Sequence, residues 1–317
     1  MSLLGVSLVS ASGLVISASL ERSTFLPYEP IYVGVKVANR SSSLEPIPRL
    51  TNEDSYSILR FTIVSDLGER LMGPAHGGGL IDVPFWYGRT LASGESCEVE
   101  ADLAYYSGKR DLESPDGENF CIPPGRYTVR VSWNMALVPP ELSVNDESSN
   151  TLGFTVRAPD STEAKALRIY RDLHWWARPS YSLWKKLHGT GTSEDWDLEM
   201  MSNVERLFGE MLRSCPVMPY ILLAKLDLAK AVHAWLADCG PQTVGSSFRD
   251  SLRTLCKDIG LNYPDSPIAA HFIGRSVYLR NLDGEQAHAE FLAELVKRNP
   301  ESMVGLAAAE LLRAKSK

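Results

Sequence analysis

Ser23-Thr-Phe-Leu-Pro-Tyr-Glu-Pro-Ile-Tyr-Val-Gly-Val-Lys-Val-Ala-Asn39 decides how the first half of the chain is read. From Ile31 the aliphatic residues fall at every second position, Ile31, Val33, Val35 and Val37, so a strand here buries one face and exposes the other. The same period of two recurs upstream at Leu14, Ile16, Ala18 and Leu20. Downstream it returns at Leu59, Phe61 and Ile63, at Cys97, Val99, Ala101 and Leu103, at Tyr127, Val129, Val131 and Trp133, and at Leu152, Phe154 and Val156. A shorter apolar run lies near Leu80–Phe85. Short strands separated by Gly, Pro and Asn/Asp/Ser clusters, with no helical period between them, predict a β-sandwich rather than an alternating α/β plan.

Ser23 to Ser41 resembles the second-strand signature of bacterial immunoglobulin-like and fibronectin-III-like domains: a hydroxyl or aromatic residue, Pro, Gly or Glu, an alternating strand, then Asn-x-Ser. Pro124-Gly-Arg-Tyr-Thr-Val-Arg-Val131 resembles their late-strand turn, in which Pro and Gly reverse the chain and Tyr127 begins the inward set. Intracellular proteinase-inhibitor-like sandwiches share this style. The resemblance spans roughly residues 13 to 157 and implies a fold, not an activity. The long segments Asp66–Gly79 and Ser107–Phe120 are where such a sandwich places binding residues.

After residue 158 the period changes. Asp160 with Glu163 three residues on forms a capping box before an apolar run from Ala164 to Ala177, which Pro179 stops. Further helices are predicted over about Glu194–Arg213 and Pro219–Ala237, then one through Phe248, Leu252, Leu255 and Ile259 that ends at Gly260. Residues 267–281, 285–298 and 302–314 complete the set. Tyr263-Pro-Asp-Ser266 and Asn299-Pro-Glu-Ser302 each close one helix and open the next, with prolines 36 residues apart, and Cys215-Pro-Val-Met-Pro-Tyr220 occupies a comparable junction. Tyr278, Ala287, Phe291 and Pro300 resemble the tetratricopeptide pattern, with the proline one residue out of register. The expected architecture is therefore multi-domain: an all-β immunoglobulin-like sandwich over 1–158, followed by an all-α tetratricopeptide-like stack of helical hairpins over 159–317. Such a stack implies a concave face that binds peptides or partner proteins.

Charge divides at the same place. The 317 residues carry a net charge of −7, and all of it lies before Pro159; the remainder is balanced. That argues against nucleic acid as the partner, and no apolar run is long enough to span a bilayer. The apolar Leu3–Gly13 stretch has no positively charged start and so is not a complete signal peptide; it reads as the remnant of one or as a first edge strand. The immunoglobulin-like resemblance implies a periplasmic or cell-surface location, and the odd number of cysteines points the other way.

No motif supplies chemistry. His76-Gly-Gly-Gly79 matches the oxyanion loop of some esterases, with Asp82 beside it, but no Gly-x-Ser-x-Gly nucleophile turn accompanies it. The six histidines include no His-Glu-x-x-His, and there is no Cys-x-x-Cys, so no metal, cofactor or catalytic residue is expected. A Cys97–Cys121 bridge is left open, and Cys215, Cys239 and Cys256 read as small apolar fillers. Two groups are candidates for partner binding. Trp175, Trp176 and Trp184 form a dense aromatic cluster, either a platform or interior packing. His271, Arg275 and Tyr278 share one helical stripe, either a binding face or solvated surface. The expectation is a non-enzymatic adaptor for a protein or peptide; the alternatives are a protease-inhibitor-like module acting through a sandwich loop, and a hydrolase with a site at the domain interface.

Overall fold

The computed structural model describes residues 13–48, 50, 58–71, 89–103, 109–111, 119–134, 149–177, 193–239, 246–275 and 278–315. Among them two compact units separate, one ending at Ala158 and the other beginning at Pro159. The first is built of strands and the second of helices.

The strands are β1 (Leu14–Leu20), β2 (Thr24–Phe25), β3 (Tyr32–Asn39), β4 (Glu45–Ile47), β5 (Leu59–Ser65), β6 (Arg70–Leu71), β7 (Arg89–Leu91), β8 (Ser96–Asp102), β9 (Lys109–Asp111), β10 (Asn119–Cys121), β11 (Gly125–Trp133) and β12 (Leu152–Val156). One sheet runs β1-β3-β8 and the other β2-β12-β11-β5-β6, with small ladders β4-β7 and β10-β9. Every pairing is antiparallel except β2 with β12. The register places like with like: Val35 opposite Ala18 and Val99, and Val131 opposite Phe61. Ile16, Val33, Val35, Val37 and Val99 of one sheet join Ile63, Val129, Val131, Trp133 and Phe154 of the other in a single buried cluster. The period of two thus produces two sheets closed on one core.

Asn39 shows why the alternation ends where it does. It is fully buried. Its Nδ2 donates to the carbonyls of Ser43 (2.7 Å) and Leu91 (2.9 Å), and its Oδ1 accepts from the Ser41 amide and hydroxyl, both at 2.8 Å. An amide side chain supplies both donors and acceptors there, which no apolar residue can do. Tyr127 plays a comparable part at β11: its hydroxyl donates to the Pro123 carbonyl at 2.8 Å while its ring stacks on Phe154. Asn150 closes the edge of β1, accepting from the Ala18 amide (2.9 Å) and donating to the Ala18 carbonyl (3.1 Å). The bridge left open between Cys97 and Cys121 is not made. The two residues sit on separate ladders, Cys97 opposite Val37 and Cys121 opposite Lys109. The Leu80–Phe85 run, the His76–Gly79 motif with Asp82, and nearly all of Leu3–Gly13 lie outside the described residues.

The helices are α1 (Ser161–Trp176), α2 (Ser193–Ser214), α3 (Tyr220–Cys239), α4 (Ser246–Asn262), α5 (Pro267–Arg275), α6 (Tyr278–Arg298) and α7 (Met303–Lys315). The capping box opens α1: Asp160 accepts from the amides of Thr162 and Glu163, and Glu163 accepts from the Asp160 amide. Principal packing joins helices one or two places apart: α1 with α2 and α3, α3 with α4 and α5, α4 with α6, and α7 with α5 and α6. The two Pro-acid-Ser junctions are built alike. Ser266 Oγ accepts from the Ala269 amide and Ser302 Oγ from the Gly305 amide, and Val304 donates to the Pro264 carbonyl at 3.0 Å, tying one junction to the other. The Cys215–Tyr220 junction differs, since its Met218–Pro219 bond is cis.

Two helix boundaries depart from the expectation. α4 continues through Gly260 to Asn262, because this glycine is a packing residue rather than a stop: a Cβ on it would lie 2.9 Å from Leu295 Cδ2. Of the helix expected over 267–281, α5 is described to Arg275 and residues 276–277 lie outside the described residues; α6, from Tyr278, breaks at Gly284, whose φ of 86° only glycine adopts freely. Among the described residues no helix is long and apolar enough to cross a membrane.

Candidate functional site

Helix α3, Tyr220-Ile-Leu-Leu-Ala-Lys-Leu-Asp-Leu-Ala-Lys-Ala-Val232 onward, is apolar over most of its surface, the mark of a largely interior helix. It packs against α1, α2, α4 and α5 and buries Leu222, Ala224, Ala229, Ala231 and Val232. Leu228 and Val232, one turn apart, floor a groove of about 380 Å³ whose walls are Glu205 of α2 and Asp250, Ser251, Thr254 and Leu255 of α4. That volume lies in the range of ligand pockets.

The groove has an uneven electrostatic character. Among the described lining residues the two charged ones are acids on exposed positions, Glu205 on one helix and Asp250 on the other. Arg253 of α4 is shared: it donates to Asp250 at 2.6 Å and binds Asp283 of α6 through Nε at 2.7 Å and again through Nη2. One guanidinium thus serves two carboxylates, one on its own helix and one on α6. The Thr254 hydroxyl donates back to the Asp250 carbonyl at 2.7 Å, fixing its rotamer on the wall.

Three polar clamps hold the helices that form and flank this groove. Asp227 of α3 is buried and accepts from Tyr170 Oη and His174 Nδ1 of α1, both at 2.8 Å, with Lys230 Nζ 3.5 Å away. Burial alone would raise its carboxyl; the His174 and Lys230 charges and the two hydrogen bonds overcome that and hold it at about 2. Lys225 of α3 reaches Asp258 of α4 at 2.5 Å and the Tyr263 hydroxyl at 2.7 Å. Arg253 and Asp283 join α4 to α6. Each clamp pairs a buried or half-buried charge with an opposite one on another helix, which avoids the cost of an isolated charge in the interior.

The residues singled out in the sequence fall elsewhere. Trp175 is buried on α1, Trp176 is half-buried beside it, and their rings stand edge to face at 4.6 Å and 81°. Trp184 lies outside the described residues. His271 is half-buried on α5, Arg275 is the last described residue of that helix and Tyr278 the first of α6, and residues 276–277 between them lie outside the described residues. The groove residues carry no motif. Their one trace in the sequence is the prevailing apolarity of α3 beside two amphipathic helices. Among the described residues no set of three His, Cys, Asp or Glu is placed to hold a metal ion. No family model matches the chain, and no curated protein matches it.

Proposed function

We propose that the chain is a non-enzymatic binding protein, an immunoglobulin-like sandwich followed by a tetratricopeptide-like helical stack, and that it takes a segment of a protein or peptide partner into the α2–α3–α4 groove. The groove, with its apolar floor and acidic walls, carries the proposal. The immunoglobulin-like part is supported by the β1-β3-β8 and β2-β12-β11-β5-β6 strand orders and by the Tyr127 hydroxyl bonded back to Pro123, the arrangement of a tyrosine corner. The repeat-like part is supported by matched capping at Ser266 and Ser302 and by packing between helices one or two places apart. An extracytoplasmic location belongs to the same reading, and fractionation of the source cells checks it.

A Thr254→Trp variant fills the groove from an exposed wall position. Peptides selected on the wild-type chain are expected to lose binding to this variant by about tenfold or more, the effect of blocking a central anchor pocket, while its circular dichroism stays unchanged. Equal binding to both proteins places the function elsewhere.

One observation favours a second reading, the protease-inhibitor-like module. Leu67 is 91% exposed at the tip of the β5–β6 hairpin. Its loop is held by Gly68 N–H to Ser65 O (2.9 Å), Ser65 N–H to Glu69 O (2.8 Å) and Asp66 N–H to Arg126 O (2.9 Å). A rigid loop presenting one apolar side chain suits a protease cleft that accepts leucine. Inhibition of such a protease, abolished by Leu67→Lys, is the expected result; a panel left at full activity by micromolar protein removes this reading.

A further inference from the structure

We propose that the outward face of the β2-β12-β11-β5-β6 sheet is a second interaction surface, which docks an acidic segment of a partner protein through its carboxylates. It lies in the strand unit and is independent of the α2–α3–α4 groove. Along β11 the buried Tyr127, Val129 and Val131 alternate with the exposed Arg126, Thr128 and Arg130, and along β5 the exposed Arg60 precedes the buried Phe61. The pairing register sets the exposed side chains on one face. Arg130 lies opposite Thr62, two places along β5 from Arg60, and the exposed Arg70 of β6 lies opposite Val64. Four exposed arginines thus share one face of a hydrogen-bonded sheet, with threonines between them.

No carboxylate neutralises them. Arg130 Nε donates to Thr151 Oγ1 at 2.6 Å and Arg70 Nη2 to Thr62 Oγ1 at 3.4 Å, both uncharged hydroxyls, and among the described residues none of the four arginines is ion-paired. The described outward positions of the five strands hold no acid. Asp66 and Glu69 stand in the β5–β6 turn, where the Asp66 amide donates to the Arg126 carbonyl, and neither pairs with an arginine of the face. The strand unit carries the whole net charge of −7, so this positive face runs against its composition. Like charges gathered on one sheet face cost stability rather than supply it.

The chemistry of the face selects the partner. All four cations are arginines, whose planar forks take a carboxylate through two N–H donors. Outward residues of one strand are about 7 Å apart, the spacing at which alternate side chains of an extended peptide also fall. The face has no aromatic side chain on which a nucleobase could stack. A nucleic acid or an anionic membrane extends far beyond the screening length of about 10 Å and would also meet the acidic remainder of the unit. A short acidic segment meets the arginines alone.

Fluorescence anisotropy of a labelled peptide of alternating Glu and Thr, titrated with the full chain, tests the surface. Binding is expected, weaker as salt is raised, and about tenfold weaker in Arg60→Thr/Arg130→Thr. The matching peptide of Gln and Thr is expected not to bind. The double variant should melt no lower than the wild type, because it thins like charges on one face; if it does not fold, Arg70→Thr/Arg126→Thr replaces it. Thr254→Trp is expected to bind the acidic peptide as the wild type does, so failure of the groove and failure of this surface read out separately. No binding of the acidic peptide, or equal binding by the arginine variants, overturns the proposal. Arginine-dependent binding to phosphatidylserine vesicles or to a DNA duplex that exceeds binding to the peptide also overturns it, and assigns the face to a membrane or a nucleic acid.

Discussion

At the scale of single residues, a few buried polar side chains hold what the apolar pattern cannot. Asn39 and Asp227 are both deeply buried, and both are satisfied by partners distant in the sequence. Asp227 has a measurable consequence. Its carboxyl sits at about 2 against an ordinary 3.8. A group depressed in the folded state stabilises the fold above its unfolded value and gives that up as pH falls through the folded one. The window is therefore from about pH 4 down to about pH 2, and the shift corresponds to roughly 2 kcal/mol. Urea unfolding at a series of pH values is expected to show a flatter acid limb for Asp227→Asn than for the wild type. Parallel limbs would mean that the His174 and Tyr170 bonds do not set this carboxyl. None of this was legible in the sequence, where His174 was one of six histidines without a motif and Asp227 one acid among many. The partners of Asp227 on α1 come from more than 50 residues away, and only folding brings them together.

Single elements were more legible, because their signals are local. A period of two, or an Asp three residues before a Glu, acts within one turn or strand, so β3, β11 and the start of α1 lie where the pattern puts them. Glycines were the exception, since a helical glycine can be a stop, a break or a close approach. Gly260 is a close approach and Gly284 a break. Gly305 is the sharpest case: a Cβ there would fall 1.8 Å from the Asn299 carbonyl oxygen, an atom of backbone that cannot swing aside. Gly209 of α2, half-buried, meets only the guanidinium end of the exposed Arg213, at 3.2 Å. Alanine has a helix preference over glycine of about 1 kcal/mol. Thermal melts should accordingly rank Gly209→Ala above the wild type, and Gly305→Ala below it by roughly 2 kcal/mol through the α6–α7 junction. A stabilised Gly305→Ala would show that Asn299 is free to move.

At the scale of the whole molecule, the strand unit has its own buried cluster, running from Leu14 to Val156 and containing no residue of α1–α7. The helical unit buries its own set from Ala166 to Ala308. A fragment beginning at Pro159 is expected to fold alone, with a helical circular dichroism spectrum and a cooperative melt, and to pass through an anion exchanger at neutral pH. The fragment ending at Ala158, which carries the whole net charge of −7, should be retained. A Pro159 fragment that stays unfolded would mean the helices depend on the strands. The sequence by itself determined that strands precede helices, where the charge changes, which faces of most elements are apolar, and how α1 begins, since each of these is set by neighbours a few residues away. The tertiary structure alone decided the α2–α3–α4 groove, the Asp227 and Arg253 clamps and the burial of Asn39. These depend on which helices and strands meet, and nothing in the spacing of Glu205, Val232 and Asp250 along the chain says that they come together.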